Sequence, residues 1–149
     1  MISRSDLNEK ERQFVLVQRV ARLATADEEG HPHVVPVCFA FDGTHFYTPL
    51  DEKPKRVSGK QLRRVRNIEA RHEAMLLFDH YEEDWSKLGF VQVFGRAGLI
   101  HPGEEEHEAA IGLLRERYEQ YRAMKLEISP VIRITPERIV LWGAALEND

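Results

Sequence analysis

The positive charge of the chain is concentrated in one stretch that could bind an anion. Between Lys53 and Arg71 the sequence has eight Lys or Arg residues and a single acid, Glu69, although the whole chain carries a net charge of −4. The stretch follows the apolar segment FYTPL and leads into the helical pattern QLRRVRNIEA. A helix N-terminus flanked by cations suits a phosphate, because backbone N–H groups and side-chain charges converge on one anion. We therefore predict a compact organic phosphate as the ligand.

The basic stretch could also be a solvated surface or a nucleic-acid interface. A run of charge is commonly an exposed helix face that keeps a protein in solution. A nucleic-acid interface is disfavoured by the net negative charge and by acidic clusters at residues 82–84 and 104–106. General nucleic-acid binders are basic overall and present a larger basic surface.

Few side chains outside this stretch suggest chemistry. His33, His80 and Tyr81 are candidate proton donors, although most of the seven histidines should be surface or packing residues. Cys38 lies among apolar residues without a flanking positive charge, which predicts a buried, unreactive thiol. Neither a metal-ligand spacing nor a glycine-rich phosphate loop is present in the sequence, so we expect no metal.

The elements that would position these residues are short strands and two to three helices. We predict an N-terminal helix that begins after Ser5 or Asp6, a second helix from about Ser58 to Ala70, and a third over residues 101–125. Strands are predicted over residues 22–26, 33–41, 45–48, 74–79, 90–100 and 130–143. Short antiparallel connections between about six strands indicate a mainly β, α+β fold: a closed or partly open barrel with the helices outside.

The second strand carries the most specific expectations. Its two faces are both apolar, so we expect burial on both sides. Pro36 cannot donate to a strand ladder and therefore indicates a sheet edge or a bulge. The pair Asp42-Gly43 predicts a hairpin into the third strand.

The second predicted helix has two stripes. Leu62, Val65 and Ile68 form a narrow apolar stripe. The polar stripe, which we expect on the opposite side of the helix, consists of Lys60, Arg64, Asn67 and Arg71.

Length and composition indicate one domain over residues 1–149. The N-terminus has no apolar signal core, no apolar run approaches the roughly 20 residues of a membrane span, and the one cysteine has no internal disulfide partner. We expect a cytoplasmic protein without a membrane association.

Four segments in this order resemble a known family: RLATADEEGHPHVVPVCFAFDG, FYTPLDEKPKR, LRRVRNIEARHEAMLLFDHYEEDW and FVQVFGRA. They are similar to the flavin and deazaflavin split-barrel proteins, the relatives of pyridoxamine 5′-phosphate oxidase, over about residues 10–142. The residues of these segments most resemble those of the branch of oxidoreductases that depend on coenzyme F420. The resemblance implies a six-stranded antiparallel split β-barrel, a homodimer with the cofactor at its interface, and hydride transfer to a small unsaturated substrate.

The resemblance also implies where the cofactor lies on its own chain. The strand around Pro36 and Val37 would run along the ring system, and Thr48 and Pro49 would approach the phosphate-bearing chain. The phosphate would be bound by the residues that match the basic positions of the family, namely Lys53, Lys55, Lys60 and Arg64, with Asn67 one turn further on.

The partner subunit would close the pocket with Trp85, Phe90, Gln92 and Arg96. Two positions depart from the family pattern: Arg64 stands where many relatives have Lys, and Phe90 where close relatives often have Trp. The first change preserves the anion site, whereas the second bears on the shape of the ring pocket. No catalytic residue is assigned.

The cofactor and the activity have alternatives. The acidic tail of coenzyme F420 needs more positive charge than the single phosphate of FMN, so the eight basic residues favour the deazaflavin. An FMN-dependent oxidase or reductase of the same fold and a non-catalytic F420 carrier remain the alternatives.

Overall fold

A computed structural model of the chain describes residues 4–50 and 62–147. Its centre is an antiparallel sheet of seven strands in the order β2-β1-β5-β6-β7-β4-β3. The strands are β1 (Ala21–Ala26), β2 (Pro32–Val37), β3 (Ala40–Phe41), β4 (Phe46–Pro49), β5 (Glu73–His80), β6 (Gly89–Ile100) and β7 (Val131–Trp142). The helices are α1 (Glu9–Val17), α2 (Arg63–Arg71) and α3 (Glu105–Arg117). The predicted mainly β split barrel is confirmed, with one more strand than expected.

The additional strand arises because the predicted strand 33–41 divides. β2 and β3 lie at opposite ends of the sheet order, yet only Cys38 and Phe39 separate them in the chain. The sheet therefore curls until its two edges meet at this short link, which we call the seam. At the seam the Phe39 N–H donates to the Tyr118 hydroxyl (3.1 Å) instead of joining a strand ladder, and the Phe39 ring is fully buried.

The predictions for the edge of the sheet have mixed outcomes. β2 pairs only with β1 among the described strands, so the expectation of a sheet edge at Pro36 is confirmed. The hairpin at Asp42-Gly43 is also confirmed, with Gly43 at φ +100°. Burial of the second strand on both sides is wrong, because its outer face is open and Val34 is 62% exposed.

The barrel interior is filled by side chains from the inner faces of the strands. The ring of Phe78 packs 4.9 Å from the ring of Phe39 and 5.2 Å from that of Phe46, measured between centroids. Cross-strand pairing places Leu23, Leu76 and Val93 in one inward-facing row, and all are essentially unexposed. Burial of such large apolar side chains is the main stabilising contribution to the fold.

The first helix begins at a different residue from the one that the sequence suggested. α1 is capped by Asn8, whose side chain accepts from the Glu11 N–H (2.8 Å), and Ser5 and Asp6 lie before the cap. Of its apolar residues, Val15 is buried, whereas Val17 is 72% exposed.

α2 and α3 have different bounds from those predicted. α2 begins at Arg63, because Leu62 has an extended backbone; the predicted start near Ser58 lies outside the described residues. α3 ends at Arg117 rather than near residue 125, and a 3-10 helix, Glu119–Ala123, follows. None of the helices in the described parts of the chain is both long and apolar enough to cross a bilayer.

Candidate functional site

A cavity of about 160 Å³ opens beside the seam. It is bounded by the end of β2, the Cys38 link, the end of β4, and the first turn of α2. Several predicted site residues meet in its walls, namely Pro36, Val37, Thr48, Pro49 and Arg64. The curled sheet thus brings together residues that the family resemblance assigned to the ring system and to the phosphate.

Tyr118 positions two walls of the cavity. Its hydroxyl accepts from the Phe39 N–H and donates to the Arg19 carbonyl (2.9 Å), which fixes the neighbours Cys38 and Val20 in the cavity lining. The Arg19 guanidinium also lies 4.6 Å from the centroid of the Tyr118 ring. Tyr118 was not among the predicted site residues, so this role was missed.

Thr48 adds a buried hydroxyl to the walls of the cavity. The residue is 1% exposed, and its Oγ1 has no hydrogen-bond partner among the described residues. A buried hydroxyl without a partner is costly, and such groups in native structures commonly mark a position that a ligand or water satisfies. Thr48 is therefore suited to donate to an anionic oxygen.

Arg64 gives the cavity its charge. It lies on the first turn of α2 and is 6% exposed, and the side chain of Leu62 does not cap this end of the helix. The positive end of the helix dipole and the guanidinium therefore act on the same region. Burial removes water that would otherwise screen the charge.

The pKa of His33 is affected by this positive charge. Burial of the ring is the largest effect that lowers the pKa of His33, and the nearby Arg63 and Arg64 lower it further. The imidazole is consequently neutral at pH 7. His33 lies on β2 but is not part of the cavity lining.

The predicted arrangement of the two stripes of α2 is wrong in one respect. Arg64 and Asn67 are buried together with Val65 and Ile68, so the buried arc of the helix is broader than its apolar stripe. Asn67 does not line the cavity but donates to the Thr25 hydroxyl of β1 (3.0 Å).

The remaining predicted site residues lie elsewhere. Lys53, Lys55 and Lys60 fall outside the described residues. Trp85, on a 3-10 helix, is 69% exposed, and Arg96 is exposed on β6.

The half-buried Gln92 lies too far along the sheet to reach the cavity of its own chain. Cross-strand pairing places Pro36, Arg22, Leu77 and Gln92 in one row on the outer face. Three strand spacings separate the ends of this row, a distance of about 14 Å. Contact of Gln92 with the cofactor therefore stays a prediction about the partner subunit.

The candidate proton donors do not line the cavity. His80 Nε2 lies 2.5 Å from a carboxylate oxygen of Glu82, and Tyr81 is exposed. Cys38 departs from its prediction as a buried thiol among apolar residues, because it is half-buried and shares the cavity with Arg64 and Thr48.

Comparison with known proteins identifies the family. The model of the pyridoxamine 5′-phosphate oxidase family matches residues 7–143. No functionally curated protein sequence matches the chain.

Three solved structures illustrate the shared architecture. HutZ, described as the heme storage protein of Vibrio cholerae, is 16% identical, with a TM-score of 0.69 and coverage of 93% of this chain and 94% of that chain. A candidate 5-nitroimidazole antibiotic resistance protein from Bacteroides thetaiotaomicron is 15% identical, with a TM-score of 0.70 and coverage of 94% and 85%. A candidate pyridoxamine 5′-phosphate oxidase from Listeria innocua is 22% identical, with a TM-score of 0.64 and coverage of 89% and 95%. Since the family model spans nearly the whole sequence, the chain belongs to the pyridoxamine 5′-phosphate oxidase family.

Proposed function

We propose that the protein is an oxidoreductase of the coenzyme F420-dependent branch, which transfers a hydride to a small unsaturated organic substrate. The observation that carries the proposal is the cavity at the seam. There the buried Arg64 guanidinium shares the walls with the Thr48 hydroxyl, which has no hydrogen-bond partner among the described residues. A cation and a hydroxyl donor in a partly dry site bind a phosphate oxygen by charge-assisted hydrogen bonds.

The size of the cavity supports a site completed by a second copy of the chain. At about 160 Å³ it is smaller than the roughly 300–1,000 Å³ of typical cofactor pockets, so it accommodates the phosphate-bearing end and not a tricyclic ring as well. The ring would then lie along the open outer face near Pro36. In the homodimer, Trp85, Gln92 and Arg96 of the other copy would cover it.

The residues of this chain would bind, orient and shield the cofactor. Arg64 would neutralise the phosphate and Thr48 would fix its orientation. β2 is an edge strand of the described sheet, so its outer side offers backbone groups that are not paired with a neighbouring strand. The bound deazaflavin supplies a hydride from its ring, and exclusion of water by the apolar walls strengthens every polar contact in the site.

The choice of deazaflavin over FMN rests on charge. The acidic tail of coenzyme F420 would extend from the cavity toward the rest of the basic stretch, in which Lys53, Lys55 and Lys60 are further cations. An FMN-dependent enzyme and a non-catalytic carrier use the same cavity and are distinguished by experiment. The cytoplasmic location stays a prediction from the sequence.

The test is a fluorescence titration of the purified protein with coenzyme F420 and with FMN. Binding of F420 should weaken by about tenfold or more in Arg64→Gln, the loss expected for one charge-assisted hydrogen bond. Arg66→Gln removes the same charge from the exposed side of α2 and should have a much smaller effect.

Each other result has a definite meaning. Binding of FMN alone would make the protein a flavin enzyme. Tight F420 binding without turnover of any unsaturated acceptor would indicate a carrier. Binding of hemin in preference to both would move the protein toward the activity that is described for HutZ. If none of these ligands binds at micromolar concentration, the proposed function is wrong.

A further inference from the structure

The single cysteine of the chain lies at the cavity beside the seam. Cys38 is half-buried and lines the cavity together with Arg64 and Thr48. Its other side packs against the apolar cluster that contains Tyr118 and Tyr121. A reagent therefore approaches this thiol through the cavity.

A second observation indicates that the cavity is built for a polar guest. Thr48 is almost completely buried, yet its Oγ1 has no hydrogen-bond partner among the residues described. Arg64 adds a positive charge to the same walls. The walls of the cavity thus combine a thiol, a cation and a buried hydroxyl that has no partner among the described residues.

We propose that Cys38 is a redox-modification site that selects anionic low-molecular-weight disulfides and thereby controls access to the cavity. The Cys38 sulfur attacks one sulfur of the disulfide, a new S–S bond forms, and the S–S bond of the reagent breaks. The other half of the reagent leaves as a thiol and takes the proton from Cys38. The cysteine is oxidised to a mixed disulfide while one equivalent of the reagent is reduced.

Selectivity for anions follows from the charge of Arg64. An approaching carboxylate is attracted by the guanidinium, whereas an ammonium group is repelled, and the partly buried position limits screening by salt. The mixed disulfide then leaves an acidic group beside Arg64. That group competes for the same cation as a phosphate.

The loss of cofactor binding on modification rests on the proposed function, but the reaction itself does not. Modification requires only the thiol, the cavity and the charge. The two parts can therefore fail separately, and the experiment measures each of them.

The experiment compares two symmetrical disulfides of similar size and opposite charge, 3,3′-dithiodipropionate and cystamine. The rate of mixed-disulfide formation is followed by intact mass, and each rate is divided by the rate with the urea-unfolded chain to remove intrinsic reactivity. We expect the normalised rate with the dianion to exceed that with the dication by about tenfold, the low end of electrostatic steering. The ratio should fall toward one at about 1 M salt, where the Debye length is about 3 Å.

Variants of α2 identify the charge responsible. The ratio of the normalised rate with the dianion to that with the dication should fall toward one in Arg64→Gln. It should persist in Arg64→Lys and in the exposed control Arg66→Gln. If Arg64→Gln does not fold, Arg64→Lys and the salt series carry the test. Equal normalised rates in the wild-type protein, or a Cys38 that does not react while the chain is folded, would overturn the proposal.

The final measurement links modification to ligand binding. The protein modified with dithiodipropionate should bind FMN or coenzyme F420 at least about tenfold more weakly, and reduction with dithiothreitol should restore binding. If the unmodified protein binds neither ligand while the charge selectivity holds, the proposed function fails and the modification site stands. Unchanged affinity after complete modification would show that Cys38 does not control the cavity.

Discussion

At the scale of single residues, two buried threonines in this barrel have opposite surroundings. The Thr25 hydroxyl accepts a hydrogen bond from Asn67, whereas Thr48 Oγ1 has no such partner in the described parts of the chain. Both residues are almost completely buried. Their difference separates a hydroxyl that stabilises the fold from one that we propose binds a ligand.

Thr48→Val should weaken binding without weakening the fold. The substitution replaces a hydroxyl that bonds to none of the described residues by a methyl of similar shape. The free energy of unfolding in urea should therefore fall by less than about 0.5 kcal/mol, or it should rise. Ligand affinity should fall by about tenfold. In the matched control, Thr25→Val should cost about 1–2 kcal/mol of unfolding free energy because Asn67 loses its acceptor. Equal effects of the two substitutions on stability would contradict the assignment of Thr48 to a ligand.

Another feature at the residue scale is a tyrosine whose hydroxyl lies between two carboxylates. The Tyr47 hydroxyl lies 3.0 Å from Asp42 Oδ2 and 2.8 Å from Glu106 Oε2, and Glu106 also pairs with Arg133 (2.6 Å). Burial and the two carboxylates raise the pKa of Tyr47, so it remains a donor at every ordinary pH. The contact joins the β3–β4 hairpin to α3.

Tyr47→Phe should destabilise the protein in a pH-dependent way. Burial alone would raise the pKa of Asp42, but hydrogen bonds from the His45 and Thr44 N–H groups and from Tyr47 lower it overall. A lowered pKa in the folded state gives stability that is present above the ordinary carboxylate pKa and is lost as the pH falls. We expect a loss of about 1–2 kcal/mol at pH 7 and a smaller difference from wild type below about pH 4, measured by urea unfolding. A pH-independent difference would exclude the contribution of Asp42.

At the scale of elements, Arg115 fastens α3 to the segment that follows it. Its Nε donates to the Tyr121 carbonyl (3.0 Å), one terminal nitrogen donates to the Met124 carbonyl (2.7 Å), and the guanidinium pairs with Glu127 (2.5 Å). The hydrogen bond from Arg115 lowers the pKa of Glu127 to about 2. The segment carries Tyr121, which lines the cavity.

Arg115→Gln should loosen this segment while the sheet stays intact. Hydrogen–deuterium exchange at pH 7 should increase over residues 119–129 and remain unchanged in β6, because the lost contacts are local. Lys125→Gln, which removes one positive charge at an exposed position of the same segment, should have little effect. Since Glu127 has a lowered pKa, the protection in the wild type should decrease as the pH falls from about 4.5 toward 2. A uniform rise in exchange across the chain would indicate global destabilisation instead.

The elements also show which features the sequence could predict. The hairpin at Asp42-Gly43 and the edge at Pro36 follow from local backbone chemistry and were predictable. The break at Cys38 was not, because the Phe39 N–H is satisfied by Tyr118, 79 positions away. Likewise, Arg64 and Asn67 are polar by type and buried by tertiary context, which helical periodicity does not reveal.

At the scale of the whole molecule, the outer face of the sheet is only partly covered. Val34 is exposed on β2, and the exposed Trp142 stacks on Phe90 at 5.6 Å between centroids. The sequence placed Trp85, Gln92 and Arg96 in the site through the family resemblance alone, and a single chain does not bring them to the cavity. The resemblance assigns them to the partner subunit of a homodimer, and this homodimer stays a prediction.

The dimer has a direct test. Sedimentation should give a mass of twice the 17.3 kDa of one chain. Val34→Asp should shift the protein toward monomer, because an unpaired charge would be buried in the interface. Val17→Asp, at a similarly exposed valine of α1, should leave the mass unchanged. A wild-type mass of one chain would remove the partner subunit from the proposed site.

The seam has a mechanical consequence. Because β2 and β3 are joined by two residues and do not pair with each other in the described sheet, no strand ladder between these two edges opposes their separation. The edges are held at the cavity only by this covalent link and by the two hydrogen bonds of the Tyr118 hydroxyl, to the Phe39 N–H and the Arg19 carbonyl, among the contacts described above. Tyr118→Phe would remove both hydrogen bonds and leave the link alone to set the distance between β2 and β3, so the cavity should become wider and more variable in width.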